Sequence, residues 1–244
     1  MKNYKYIAAI DSTNSELKRI QSKETLPEFF AIRTAFQSAG KGQTGNSWES
    51  QRGKNLLFSL LFRPHHIAIP EQFILSQIVS VAIVRTMLQH KVECSIKWPN
   101  DIYVGDKKMG GILIENCLRG SRIDFSIVGI GLNINQVEFV SDAPNPVSTF
   151  NILNKEIALT TLFSEIIEHI KQLYLHVNVA DIKSEYQQYL YRKKGFYTYK
   201  YPNGELFEAE IHTIGNDGQL WLKKRNGELI VFYFKEVEFV LTNI

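Results

Sequence analysis

Residues 70–91 constrain the fold of this chain more than any other segment. Pro70 suits the first turn of a helix, and apolar residues then recur almost all the way round it. A helix without a polar face has to be buried, so the chain must build a core able to enclose it. The alternative, a bilayer span, is disfavoured because Ser76, Gln77, Ser80 and Arg85 interrupt the run Phe73–Leu88, which is too short to cross. The N-terminal MKNYKYIAAIDSTN also lacks an apolar run of signal length. A soluble, cytoplasmic protein without membrane contact is the expectation.

The chain of 244 residues, 44% apolar and 12% aromatic, can supply such a core as one large domain or a medium one with an appendage. Its 28 Lys and Arg are scattered and its net charge is only +3. That argues against a dedicated polyanion binder while permitting a local phosphate site. Cys94 and Cys117 fall in strand-like segments and read as buried free thiols. No histidine lies at metal-ligand spacing to them, so structural zinc is not expected.

Thr13 and Glu16 fit a capping box, placing a helix start near residue 14. Residues 29–36 read as a strand, 37–54 as a polar glycine-bearing loop, and 55–63 as an apolar strand stopped by Pro64. After the apolar helix, strands are expected at 94–98, 102–104, 111–116 and 122–133, the last two as an antiparallel pair. Residues 141–148 read as a loop, and 155–176 and 181–191 as helices. Beyond Lys194 the short strands YTYKY, LFEAEIHTI, LWLKK and LIVFYF alternate with PNG, GNDG and RNG turns, which suggests a small β-barrel. The expected class is therefore α+β, with a main domain over 1–192 and the barrel over 193–244.

Three segments carry chemistry. Gly40-Lys41-Gly42-Gln43-Thr44-Gly45-Asn46-Ser47-Trp48 has the glycine spacing of an anion-binding loop, but it is not a Walker loop because no Gly-Lys-Ser/Thr opens a helix. Lys97-Trp98-Pro99-Asn100-Asp101, followed by Lys107-Lys108-Met109-Gly110-Gly111, sets a carboxylate at a bend near a lysine and close-packing glycines. Taken alone, that pattern also suits a solvated charged hairpin. Gly129-Ile130-Gly131-Leu132-Asn133-Ile134-Asn135 lacks the third glycine and following helix of a dinucleotide fingerprint. Asn133 and Asn135 would share one face of an extended chain, either towards a ligand or as structural amides.

Together with Asp11-Ser12-Thr13-Asn14, these segments occur in an order and at spacings that resemble the biotin protein ligase family. The resemblance covers the whole chain apart from that family's optional N-terminal helix-turn-helix. It implies a catalytic domain like that of class II aminoacyl-tRNA synthetases, with a mixed or antiparallel sheet flanked by helices. It further implies ATP-dependent activation of biotin to biotinyl-5′-AMP, then transfer to a lysine of a carboxylase's biotin carrier domain, with Mg²⁺ assisting. A monofunctional ligase that binds no DNA is the expectation, with a homodimer left open.

By the same resemblance, Ser12, Thr13, Asn14 and Gln37 are expected to bind biotin's polar ring. Lys41, Gly42 and Gln43 line the covering loop, with Gly111 beside biotin and Trp48 near the adenylate. Lys108 bridges biotin's carboxylate and the α-phosphate, so Lys108 and Lys41 are the expected catalytic residues. Asn100, Asp101, Asn133 and Asn135 fall to the nucleotide, and Asp101 to a metal. Many relatives have arginines where this chain has Lys41 and Gln43. Lys41 keeps the charge without the bidentate fork, whereas Gln43 loses it, leaving Lys41, Arg52 or Lys54 to compensate. A lipoate–protein ligase and a non-catalytic sensor of biotinyl adenylate are the rival readings.

Overall fold

The apolar segment after Asn55 forms strand β3, Leu56–Phe62, and all seven of its residues are buried. Side chains alternate across a strand. Leu56, Phe58, Leu60 and Phe62 enter the core that contains the apolar helix, α2 (Phe73–Gln89). Leu61 turns to the opposite face, where it meets Leu17 of α1 (Thr13–Gln21). The computed structural model describes residues 4–43, 46–140, 145–176 and 178–241.

Around β3 lie β1 (Tyr4–Ile7), β2 (Ala31–Thr34), β4 (Ser95–Lys97), β5 (Asp101–Val104), β6 (Lys107–Arg119) and β7 (Arg122–Leu132). They form a seven-stranded sheet in the order β1-β2-β3-β7-β6-β5-β4. Only β1 and β2 pair in parallel; the other neighbours are antiparallel. Helices α4 (Leu159–His176) and α5 (Val179–Gln188) pack on α2. Every residue from Phe73 to Val84 is buried. Counted from its preceding turn, this helix runs Ile69–Gln89 and is long enough to span a bilayer, contrary to the sequence reading. Burial, and not length, marks it as a core helix.

Phe58 is fully buried and its ring meets Phe163 edge-on at 5.1 Å. Phe58→Ala should therefore lower stability by about 3–5 kcal/mol, the usual effect of emptying such a site. Denaturant unfolding with an unchanged slope checks this.

The capping box expected at Thr13 and Glu16 does not form. Ser12 is the N-cap without a side-chain cap bond, and Glu16 accepts from Arg19 Nε at 2.9 Å. Thr13 is the first helical residue and its hydroxyl donates to Gln37 instead. Helix α3, Thr149–Leu153, falls just past the expected loop and is capped by Ser148, whose Oγ accepts from Asn151 N–H at 3.1 Å. Residues 141–144 of that loop lie outside the described residues.

After α5 come β8 (Tyr197–Lys200), β9 (Leu206–Ile214), β10 (Leu220–Lys224), β11 (Leu229–Phe232) and β12 (Glu238–Phe239). They form a five-stranded antiparallel sheet in the order β11-β10-β9-β8-β12. Its end strands do not pair with each other among the described residues, so the expected barrel is realised as an open sheet. Trp98 ties the two sheets together by donating Nε1–H to Gly218 O at 2.7 Å, with Phe234 tilted against its ring at 5.4 Å.

Both cysteines are free but only partly buried. Burial nevertheless pushes the Cys94 thiol up to about 12. A raised thiol pKa contributes stability that is fully present below the unfolded value of about 8.5 and is lost as pH rises towards 12. Cys94 should resist alkylation at pH 8 in the folded protein and react on denaturation, as mass spectrometry of the labelled peptide would read.

Candidate active site

On the face of the main sheet turned towards α1, cross-strand pairing aligns Leu57, Gly131, Gly111, Asp101 and Lys97 in one row. Directly opposed residues share a face, so this row is a floor of two glycines bounded by charge. A neighbouring row carries Ser59, Gly129 and Leu113. The glycines matter for what approaches them. A Cβ on Gly131 would lie 2.7 Å from the Trp48 ring, and one on Gly129 would lie 2.3 Å from Asn14 Oδ1.

Over this floor opens a cavity. Ser12, Thr13, Asn14 and Gln37 line it beside the Gly129 row. Lys41, Gly42, Gln43 and Trp48 line it from the glycine-bearing loop, and Asn100, Asp101, Lys108 and Gly111 at the charged end. The sequence-predicted residues therefore converge, except for Asn133 and Asn135. Asn135 is structural: its Nδ2 donates to Ile157 O and its Oδ1 accepts from Ile157 N, both at 2.9 Å. Asn133 donates its N–H to Met109 O, and its Oδ1 is buried without a hydrogen-bond partner among the described residues. β7 ends at Leu132, so the alternation expected to aim both amides at a ligand does not continue through them.

The polar end is a hydrogen-bonded cluster. Asp11 accepts from Ser12 N–H at 2.8 Å and is held bidentately by Arg19. Those Arg19 hydrogen bonds, aided by the Ser12 N–H, keep the Asp11 carboxyl well below the usual range. Gln37 Oε1 accepts from Thr13 N–H at 2.7 Å and from its hydroxyl at 3.0 Å. Ser59 Oγ lies 2.7 Å from Thr13 Oγ1 and donates to Asn14 Oδ1 at 2.5 Å. Asn14 Nδ2 donates to Glu115 Oε2 at 2.7 Å.

At the charged end Lys108 Nζ meets Asp101 Oδ1 at 2.7 Å, with the Trp48 ring 5.9 Å from the ammonium. The Lys108 backbone is held on both sides, donating to Asn145 O and accepting from Val147 N–H. Asn100 braces the next strand through Nδ2 to Ile112 O and through its carbonyl to Ile112 N–H. Lys97 lies one strand beyond Asp101, 5.3 Å from the Tyr103 ring and 5.1 Å from that of Phe239. Burial lowers its pKa, partly opposed by Asp101.

The described residues of the loop pair across it. Gly42 N–H donates to Asn46 O, Asn46 N–H to Gln43 O, and Trp48 N–H to Gly40 O. Backbone hydrogens expected to face a ligand are engaged within the hairpin at these positions. Thr44 and Gly45 of this loop lie outside the described residues. Of the three cations considered as substitutes for the charge missing at Gln43, only Lys41 lines the cavity, where it donates to Ser15 Oγ at 2.9 Å. Lys54 pairs with Glu156 at 2.8 Å and Arg52 packs over the Phe36 ring at 4.8 Å.

Asp101, expected beside a metal, faces Lys108. Its Oδ1 is engaged by Lys108, and no group of three or more His, Cys, Asp or Glu side chains able to hold a metal occurs among the described residues. Sequence reasoning gave no role to Ser59 or Glu115, which hydrogen-bond Asn14, and singled out Gly129 and Gly131 only as members of a motif. Ser59 interrupts an otherwise apolar strand, a polar residue at a buried position that could have flagged it.

The profile of the biotin/lipoate A/B protein ligase family matches residues 6–133, just over half of the chain. The chain belongs to the biotin/lipoate A/B protein ligase family. Among its relatives, the bifunctional ligase/repressor BirA of Bacillus spizizenii is 33% identical over 132 residues, covering 54% of this chain and 40% of that protein. The biotin–[acetyl-CoA-carboxylase] ligase of Paracoccus denitrificans is 30% identical over 131 residues, covering 52% of this chain and 53% of that one. The matches thus span about half or less of these curated relatives. A biotin protein ligase from Aquifex aeolicus, solved with biotin and ATP, superposes with a TM-score of 0.80 over 98% of this chain and 100% of its own, at 21% identity. That likeness establishes the fold of this family member on both sides of the matched region.

Proposed function

We propose that this protein is a biotin–[acetyl-CoA-carboxylase] ligase: it activates biotin with ATP to biotinyl-5′-AMP and transfers the biotinyl group to a lysine of a carboxylase's carrier domain. The observation that carries this reading is one cavity with a hydrogen-bonding end at Thr13, Asn14 and Gln37 and a cationic end at Lys108. A ureido ring suits the first and a carboxylate beside a phosphate the second. Biotin carries both groups in one molecule. Lipoate offers no polar ring to the Thr13–Asn14 cluster, which favours biotin. The Aquifex aeolicus protein, of the same fold, was solved with biotin and ATP.

The chemistry follows from charge and position. Biotin's carboxylate oxygen attacks the α-phosphorus of ATP, the bond to the β-phosphate oxygen breaks, and pyrophosphate leaves. Lys108 offsets the negative charge gathered between the two anions, and Asp101 holds its ammonium in place until they arrive. The carrier lysine's amine then attacks the acyl carbon, AMP departs, and the amine's proton passes to solvent. No protein nucleophile is required, so positioning supplies most of the acceleration. Lys41 covers the carboxylate end from the hairpin, and Trp48 packs beside the adenylate. Any Mg²⁺ accompanies the triphosphate.

We assign the biotin and nucleotide sites to residues 1–192 and an accessory unit to 193–244, in a cytoplasmic enzyme. Incubating the protein with biotin, ATP and a purified carboxylase carrier domain should raise the carrier's mass by one biotinyl group and make it visible to streptavidin. An unmodified carrier, with adenylate formed and retained, would instead identify a sensor that binds without transferring.

A further inference from the structure

The structure assigns Glu115 as a positioning residue that sets the hydrogen-bonding polarity of the ligand pocket through Asn14; this rests on the biotin reading above. Glu115 lies on β6, behind the cavity lining, and contributes nothing to its walls. Its contact is with the Asn14 amide, at 2.7 Å from Nδ2.

An asparagine amide has a donor end and an acceptor end that differ little in shape, so its neighbours decide which way it faces. Glu115 Oε2 accepts from Nδ2 at 2.7 Å, with Leu113 O a longer second acceptor at 3.4 Å, and so draws Nδ2 towards itself and leaves Oδ1 towards Ser59, whose hydroxyl donates at 2.5 Å. The absent side chain at Gly129 makes room for this orientation, since a Cβ there would overlap Asn14 Oδ1 at 2.3 Å.

The orientation propagates by proton counting. Ser59 has one hydroxyl proton, and it goes to Asn14 Oδ1. The Thr13 hydroxyl proton goes to Gln37 Oε1 at 3.0 Å, so it is unavailable to a ligand. What remains at Thr13 and Asn14 are lone pairs on Oγ1 and Oδ1, acceptors matched to ligand N–H groups, while the Ser12 hydroxyl and Gln37 Nε2 beside them are left as donors for a ligand carbonyl. Were the amide flipped, Nδ2 would meet the Ser59 hydroxyl and Oδ1 would meet the Glu115 carboxylate. That places two acceptors together and turns the pocket towards donors, which ureido N–H groups cannot satisfy.

The test is steady-state kinetics of biotin-dependent pyrophosphate release on the intact chain. Glu115→Ala is expected to raise KM for biotin about 10- to 100-fold, the scale of a hydrogen bond to a charged group, while kcat and KM for ATP change less than about twofold. Glu115→Gln, which keeps an acceptor oxygen in the same place, is expected to recover most of the loss. In an Asn14→Ala background, Glu115→Ala should add nothing further, because it acts through that amide. A KM for biotin unmoved by Glu115→Ala, equal losses for biotin and ATP, or additive effects with Asn14→Ala would each overturn the assignment.

Should Glu115→Ala fail to fold, Asn14→Asp opposes two carboxylates across the same contact. It is expected to raise KM for biotin at least as much and to be partly rescued by adding Glu115→Gln; absence of rescue overturns the assignment. Failure of the underlying reading is separate: the unaltered protein would then release no pyrophosphate with biotin at all.

Discussion

Replacing Lys108 by alanine is expected to slow adenylate formation by about two to three orders of magnitude while leaving the protein folded. The scale is that of removing one preorganised charge-stabilising donor. Lys108 Nζ is 2.7 Å from Asp101 Oδ1, and its backbone is pinned between Asn145 and Val147, so the ammonium is held in position before any substrate arrives. A preformed cation costs little reorganisation when negative charge accumulates between a carboxylate and an α-phosphate. Lys108→Arg keeps the charge but not the compact ammonium, and should recover only part of the rate. Single-turnover formation of adenylate separates this step from product release. A folded Lys108→Ala variant within threefold of the unaltered protein would remove Lys108 from the mechanism.

The second large effect is expected at a residue that carries no side chain. Gly131→Ala places a methyl group within 2.7–3.0 Å of three atoms of the Trp48 indole, closer than real Cβ contacts occur. The ring has to move, and with it the hairpin that covers the site. Shifts on the order of 1 Å can lower rates about 100-fold, and kcat/KM for ATP should fall by roughly that factor. In a Trp48→Ala background the methyl has no ring to strike, so Gly131→Ala should then change kcat/KM little. Independent losses in the two variants would contradict steric control of Trp48 by Gly131.

Much of this architecture was legible because single residues carry unambiguous signals. Pro64 stops β3, the wheel of α2 has no polar face, and the PNG, GNDG and RNG turns divide the C-terminal strands. What stayed hidden depended on tertiary partners. The Thr13–Glu16 spacing fits a capping box, yet Gln37, in the segment just after β2, captures the Thr13 hydroxyl, and Arg19 captures Glu16. β1 is a four-residue edge strand whose Lys5 and Tyr6 are exposed, so it lacks the apolar alternation that marks a strand.

The site followed the same division. Motif order grouped Thr13, Gln37, Asp101 and Lys108, and all four line one cavity, the last two through strand pairing that sets β5 against β6. Asn133 and Asn135 do not line that cavity, since periodicity within β7 says nothing once the strand ends at Leu132. Glu115 was invisible because its importance lies in one contact, 101 positions away in sequence. The missing cation at Gln43 became clearer: Lys54 and Arg52 are engaged elsewhere, which leaves Lys41 as the loop's contribution to the cavity.

The central claim is that this cavity activates biotin. Pyrophosphate release from ATP, measured side by side with biotin and with lipoate, tests it most directly. Release that requires biotin and does not occur with lipoate is the predicted result. Release with lipoate alone, or none with either acid from a folded protein, would contradict it.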